Sequence, residues 1–167
     1  VGATRIFTDE GNLRNSMVRI IDDYGDILPL KHKKDLDLTV LPPSLLQAVR
    51  VFLLTRAVRY LRGEGTKHCT MMINVSRFND VQELIEGLVY DYLQNLVRAI
   101  TVNARHRTGN SDPLITALRN DYECEFSELD HSVDEILEVL HEATSTVGVT
   151  TVNMRGGHLD YAMNSTN

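Results

Sequence analysis

The sequence predicts an α/β fold: a parallel sheet flanked by long helices and carrying an enlarged helical insertion. Three observations lead there. HCTMMINV and VTTVNM are short apolar runs of strand length. A long helical pattern follows the first run without a break, as a crossover helix follows a parallel strand. The apolar residues of the first run are adjacent rather than alternating, the pattern of a strand covered on both faces.

The chain has 167 residues, enough for one domain with a substantial core. Hydrophobic residues make up 43% and charged residues 24%, an ordinary globular composition. The net charge of -6 excludes a surface that is basic throughout, so any anion site has to be local. No apolar run reaches the roughly 18 residues that a membrane span requires, and VGATRIFTDEGN lacks the basic and apolar regions of a signal peptide. Cys69 and Cys124, the only cysteines, offer no CxxC and no disulfide framework, which points to a reducing, cytoplasmic setting. The abrupt start at Val1 and finish in NSTN read as a piece cut from something larger.

Residues 1–38 form a polar connector, with one helical candidate over Leu13–Asp23. It ends in PLKHKKDLDL, where Lys31, Lys33 and Lys34 could reach a phosphate but a solvated linker is the simpler reading. Residues 39–100 form the predicted core. LPPSLLQAVRVFLLTRAVRYLRGEG is its first helix, with Pro43 in the first turn and Gly63 as the stop. Leu46, Val49, Leu53, Ala57, Tyr60 and Leu61 make its stripe, while Arg50, Arg56, Arg59 and Arg62 occupy the remaining arc. After the first strand, Asn79 or Asp80 caps a helix whose stripe runs from Val81 to Ile100. Extended to Arg105, that helix would be roughly 37 Å long at about 1.5 Å per residue. Residues 101–147 form the helical insertion: a polar loop, the helix PLITALRNDYECEF, and DHSVDEILEVLHEA with Ser132 and Glu135 at capping-box spacing. Residues 148–167 supply the second strand and a tail.

Most catalytic signatures are missing. GEGTKH lacks the spacing of a phosphate-cradling GxxxxGK[ST] loop. The acidic stretch DYECEFSELD has no partner lysine for a metal nuclease and reads as a solvated face. The six histidines form neither HExxH nor a tight cluster. No residue is assigned a catalytic or metal-binding role, and no cofactor is assigned to these residues. What remains is NVSRFNDVQ. Ser76 and Arg77 stand at the end of the predicted strand, just ahead of a helix whose first N–H groups are free. A guanidinium is suited to bidentate phosphate contact. The alternative is that Arg77 pairs with Asp80 or Glu83 while Ser76 only caps.

LPPSLLQAVRVFLLTRAVRYLRG followed by HCTMMINVSRFNDVQ resembles the Z-one domain, a family described as an endonuclease domain. The resemblance is carried by Pro43, Ser44, Leu45, Arg59, Arg62, Gly63, His68, Met71, Ser76, Arg77, Phe78 and Gln82, over about residues 40–100. It implies a RecA-like second lobe of a superfamily-two helicase-type ATPase in a bacterial restriction or phage-defence system. ATP and magnesium would serve the parent protein through segments lying outside these residues. A nuclease, a methylase or an Hsp90-like ATPase would be its partner. Under that reading Ser76 and Arg77 grip a DNA phosphate, Gln82 orients their loop, and Arg56 and Arg59 add diffuse charge. Two other readings stand beside it: a helical module that recruits a nuclease or methylase, and an endonuclease in its own right.

Overall fold

A computed structural model describes residues 18–103 and 112–155 of the chain. Four helices order the described residues: α1 (Pro43–Leu61), α2 (Asn79–Asn103), α3 (Pro113–Phe126) and α4 (Val133–Thr144). No β-strand forms among these residues, so the expected parallel sheet, and with it the RecA-like fold, is corrected to a helical assembly. α1 packs most extensively on α4 and next on α3, and α2 packs on both α3 and α4. The α3–α4 hairpin is therefore the shared surface, with the two longer helices laid against it.

The helix boundaries follow local chemistry. Pro42 and Pro43 open α1, and Asp23 accepts hydrogen bonds from the Ser44 amide and hydroxyl, both at 2.7 Å. A residue from the connector thus satisfies a first-turn donor that α1 cannot pair internally. Gly63 takes φ +74° just past the end of α1, a conformation that costs glycine little. Asp112 caps α3, and Ser132 with Glu135 closes a full capping box on α4. α2 begins differently from the expected Asn79 or Asp80 cap. Its first helical bond runs from Gln82 N–H to the Phe78 carbonyl, which puts Phe78 at the cap position.

The core is one cluster built from all four helices. Leu53, Leu54, Val81, Leu96, Ile115, Leu118, Ile136 and Leu140 are fully buried within it. Helix-spaced stripes on each element supply these residues, and burial on this scale is the main source of stability.

The two expected strands are extended segments that lie on this helical core. Along 69–74 the partly buried Cys69, Met71 and Ile73 alternate with exposed Thr70, Met72 and Asn74. Met72 is 86% exposed, so the segment is covered on one face and not on both. Along 147–154, Val147, Val149, Thr151 and Asn153 face inward, whereas Val152 and Met154 face out. A strand needs a ladder of bonds to a neighbouring backbone; among the described residues the first segment has none, the second has only an isolated bridge position at Asn153, and both rest on the helices. Residues 18–23, the described part of the helical candidate over Leu13–Asp23, carry no helix, and the remainder lies outside the described residues.

A polar network penetrates the interior. Arg50 Nε donates to Asp121 Oδ2 at 2.5 Å and Arg50 Nη1 donates to the Tyr92 hydroxyl at 2.7 Å. Gln47 Nε2 donates to Asp121 Oδ1 at 3.1 Å. The Arg50 and Asp121 side chains are only 14% and 9% exposed. Asp121 therefore leaves the solvated face expected of DYECEFSELD, and Arg50 leaves the outer arc of α1. Burial works against the Arg50 cation, but the bonds to Asp121 and Tyr92 outweigh it and hold the group above its ordinary value.

Asp121→Ala leaves a buried guanidinium without its counter-charge, and its expected cost is about 3 kcal/mol or more in urea unfolding. The capping box predicts a pH effect. The Ser132 amide, and then its hydroxyl, hold the Glu135 carboxyl below its ordinary value. Its folded value is the lower one, so the contribution is complete above the unfolded carboxylate range and is lost as pH falls through the folded value. Melting temperatures of wild type and Glu135→Gln are therefore expected to converge in acid and separate at neutral pH.

Candidate phosphate-binding cleft

Ser76 and Arg77 stand at the turn into α2, in the wall of an open cleft of about 580 Å³. Its second wall comes from the connector: Leu30, Lys31, His32 and Lys33 face Asn74, Val75, Ser76, Arg77 and Phe78. The connector is not a free linker. Leu28, Leu38 and Leu41 are buried in the core, and Leu36 packs against it. These leucines fix the chain on both sides of the Pro29–His32 turn, which the His32 N–H closes on the Pro29 carbonyl at 3.0 Å. Lys31 and Lys33, both exposed, thereby line the same cleft as Arg77.

Ser76 is bonded on several sides. Its Oγ accepts the Phe78 N–H at 3.0 Å and lies 2.8 Å from His32 Nε2. Gln82 Nε2 donates to the Ser76 carbonyl at 2.7 Å, and Gln82 Oε1 accepts from Asn153 Nδ2 at 3.3 Å. Gln82 thus joins the turn to the 147–154 segment. His32 also meets the Phe78 ring edge-on, with centroids 5.7 Å apart and an interplanar angle of 71°.

Arg77 is exposed, and its guanidinium carbon sits 4.8 Å from the centre of the Phe78 ring. The pairing with Asp80 or Glu83 that could have neutralised it does not form. Arg155 takes both carboxylates instead, at 2.6 and 3.3 Å. Among the described residues no carboxylate pairs with Lys31, Lys33 or Arg77, and none lines the cleft. The local field is positive on a chain of net charge -6.

The structure gives Arg56 and Arg59 other partners. Arg56 Nε donates to the Ala143 carbonyl at 2.9 Å and its Nη2 to the Thr146 hydroxyl at 3.2 Å, which ties α1 to the negative end of α4. Arg59 donates to the His68 carbonyl at 3.1 Å and pairs with Glu64 at 3.4 Å. Neither lines the cleft. The residues that sequence reasoning left outside the site are His32, Lys31 and Lys33. The leucine spacing around them, Leu28 to Leu38, was the available signal that this segment is anchored.

The family comparison adds the domain's name. The family model of the Z1 domain matches residues 44–167, most of the chain. The chain belongs to the Z1 domain family. This agrees with the resemblance carried by the Pro43-to-Gly63 helix and the Ser76-Arg77-Phe78 turn, and it concerns the domain alone. No curated protein and no solved structure matches the chain. The Z1 match contains the Ser76–Phe78 wall and begins after Lys31, His32 and Lys33, so the cleft joins the Z1 domain to residues that precede the match.

Gln82→Ala removes the bond that holds the Ser76 carbonyl and releases Asn153. Faster amide exchange at residues 76–78 and at Asn153 is the expected result, with about 1 kcal/mol of lost global stability.

Proposed function

We propose that this Z1 domain grips the sugar–phosphate backbone of DNA in the cleft between the connector and the turn into α2. The observation that carries the reading is the convergence of Lys31, Lys33 and Arg77, cations without carboxylate partners among the described residues, on one open cleft. Arg77 offers a planar fork and the lysines offer point charges, a combination that serves a run of phosphates and not a single base edge. The first N–H groups of α2 add to the positive field. Arg56 and Arg59 act structurally in this reading. In keeping with the family resemblance, the domain serves a DNA-acting, ATP-dependent helicase-like protein of a restriction or phage-defence system. ATP and magnesium are handled by other parts of that protein.

The test is fluorescence anisotropy of the intact protein with single-stranded DNA at two salt concentrations. Arg77→Ala is expected to weaken binding roughly tenfold and to lower the salt slope by about 0.7, the share of one phosphate contact on a single strand. Lys33→Ala is expected to do the same. Unchanged affinity together with an unchanged slope in both variants would remove the cleft from consideration.

A further inference from the structure

We propose that His32 is a positioning residue whose protonation decides whether the Ser76 hydroxyl can serve the phosphate cleft. The proposal rests on the phosphate reading of that cleft. Its starting point is the position of the ring between two fixed partners. His32 Nδ1 lies 2.6 Å from the Pro29 carbonyl oxygen, and Nε2 lies 2.8 Å from Ser76 Oγ. A carbonyl can only accept, so Nδ1 carries a hydrogen in either charge state. In the neutral ring Nε2 is then a bare acceptor, and it takes the Ser76 hydroxyl proton.

Ser76 in that state has no donor left for an anion. Its one hydrogen points at His32, and one lone pair receives the Phe78 N–H. Protonation reverses the bond between ring and hydroxyl. Nε2–H now donates to Oγ, so Oγ accepts from both Nε2–H and Phe78 N–H, and its own hydrogen is free to turn toward the cleft. One proton therefore adds a positive charge to the cleft wall and releases a hydroxyl donor. Phe78 holds the ring edge-on in the same place throughout. The charged groups that line the cleft with His32 are Lys31, Lys33 and Arg77, and among the described residues no carboxylate joins them. A phosphate in the cleft is held more favourably by the charged ring and the released hydroxyl than by the neutral ring. Binding and protonation are thus coupled: phosphate binding takes up a proton at His32.

The experiment uses the intact protein and an oligothymidylate, whose bases and phosphodiesters do not titrate between pH 5.5 and pH 8. Anisotropy is measured at both pH values for wild type, His32→Gln and Ser76→Ala. Calorimetry of the wild type in two buffers of different ionisation enthalpy counts the protons taken up. Binding is expected to tighten roughly tenfold on going to pH 5.5, the worth of one charge-assisted contact. Proton uptake should reach about half a proton per bound strand, the most that a tenfold coupling at one site allows. His32→Gln should abolish both the tightening and the uptake, whereas Ser76→Ala should reduce the two together, keeping the share that the ring's charge supplies. Equal affinity at the two pH values without proton uptake, or tightening that persists in full in His32→Gln, overturns the role of His32 and leaves the cleft standing. Absence of binding by the wild type at both pH values, or binding that Arg77→Ala and Lys33→Ala leave unchanged, overturns the cleft and His32 together.

Discussion

A buried guanidinium between three helices is the constraint on which the rest of this domain is built. Moving Arg50 out of water costs several kcal/mol unless its donors are met. They are met by Asp121 of α3 and by Tyr92 of α2, while Gln47, one turn earlier on α1, completes the carboxylate's bonding. Hydrogen bonds are directional where apolar packing is not. A leucine stripe would tolerate α1 sliding along the α3–α4 hairpin; a fork bonded to a carboxylate and a phenol would not. The pair thus sets the register of α1 on α3 and brings α2 to a fixed distance from α1, although those two helices share little direct packing.

The position of the cleft follows from that register. The end of α1 and the start of α2 are both fixed, so the chain turns through residues 62–67 and then runs along the helical surface to residue 78. Met71 and Ile73 hold that path by packing inward, and the path delivers Ser76 and Arg77 to the mouth of α2. On the other side, Leu28, Leu38 and Leu41 sink the connector into the same core, and Asp23 ties it to the first turn of α1. Two segments without regular structure therefore meet as rigid walls because each is anchored on helices that cannot shift. The charge distribution depends on a further exchange. Asp80 and Glu83 lie close to Arg77 in sequence, yet Arg155 binds both of them. That pairing keeps the acidic side of α2 occupied and leaves the cation above Phe78 exposed.

The helices were legible in the chain because their signals are local. Pro43 and Gly63 bracket α1, Asp112 precedes Pro113, and Ser132 with Glu135 sits at capping-box spacing. The sheet was misread for the opposite reason. HCTMMINV and VTTVNM have the composition of strands, but strand formation is settled by a neighbouring backbone, which no single run of residues encodes. The one-sided burial of Met71 and Ile73 against exposed Met72 is what such a segment adopts when it lies on helices. Asp121 was misread because an acidic run conceals a residue in phase with Leu118 and Tyr122 on the inner face of α3.

For the candidate site, the chain alone singled out Ser76 and Arg77, because a hydroxyl and a guanidinium ahead of a strong helix pattern are visible within a few residues, and Gln82 came with the family resemblance. Family membership was legible in the same stretch. Only the folded molecule set Lys31, His32 and Lys33 opposite them, since that meeting spans more than forty positions and depends on buried leucines at both ends of the connector. The fold likewise turned Arg56 and Arg59 toward carbonyls and assigned Asp80 and Glu83 to Arg155. Periodicity and caps are properties of neighbours along the chain, whereas the partner of a charge is a property of distance in space.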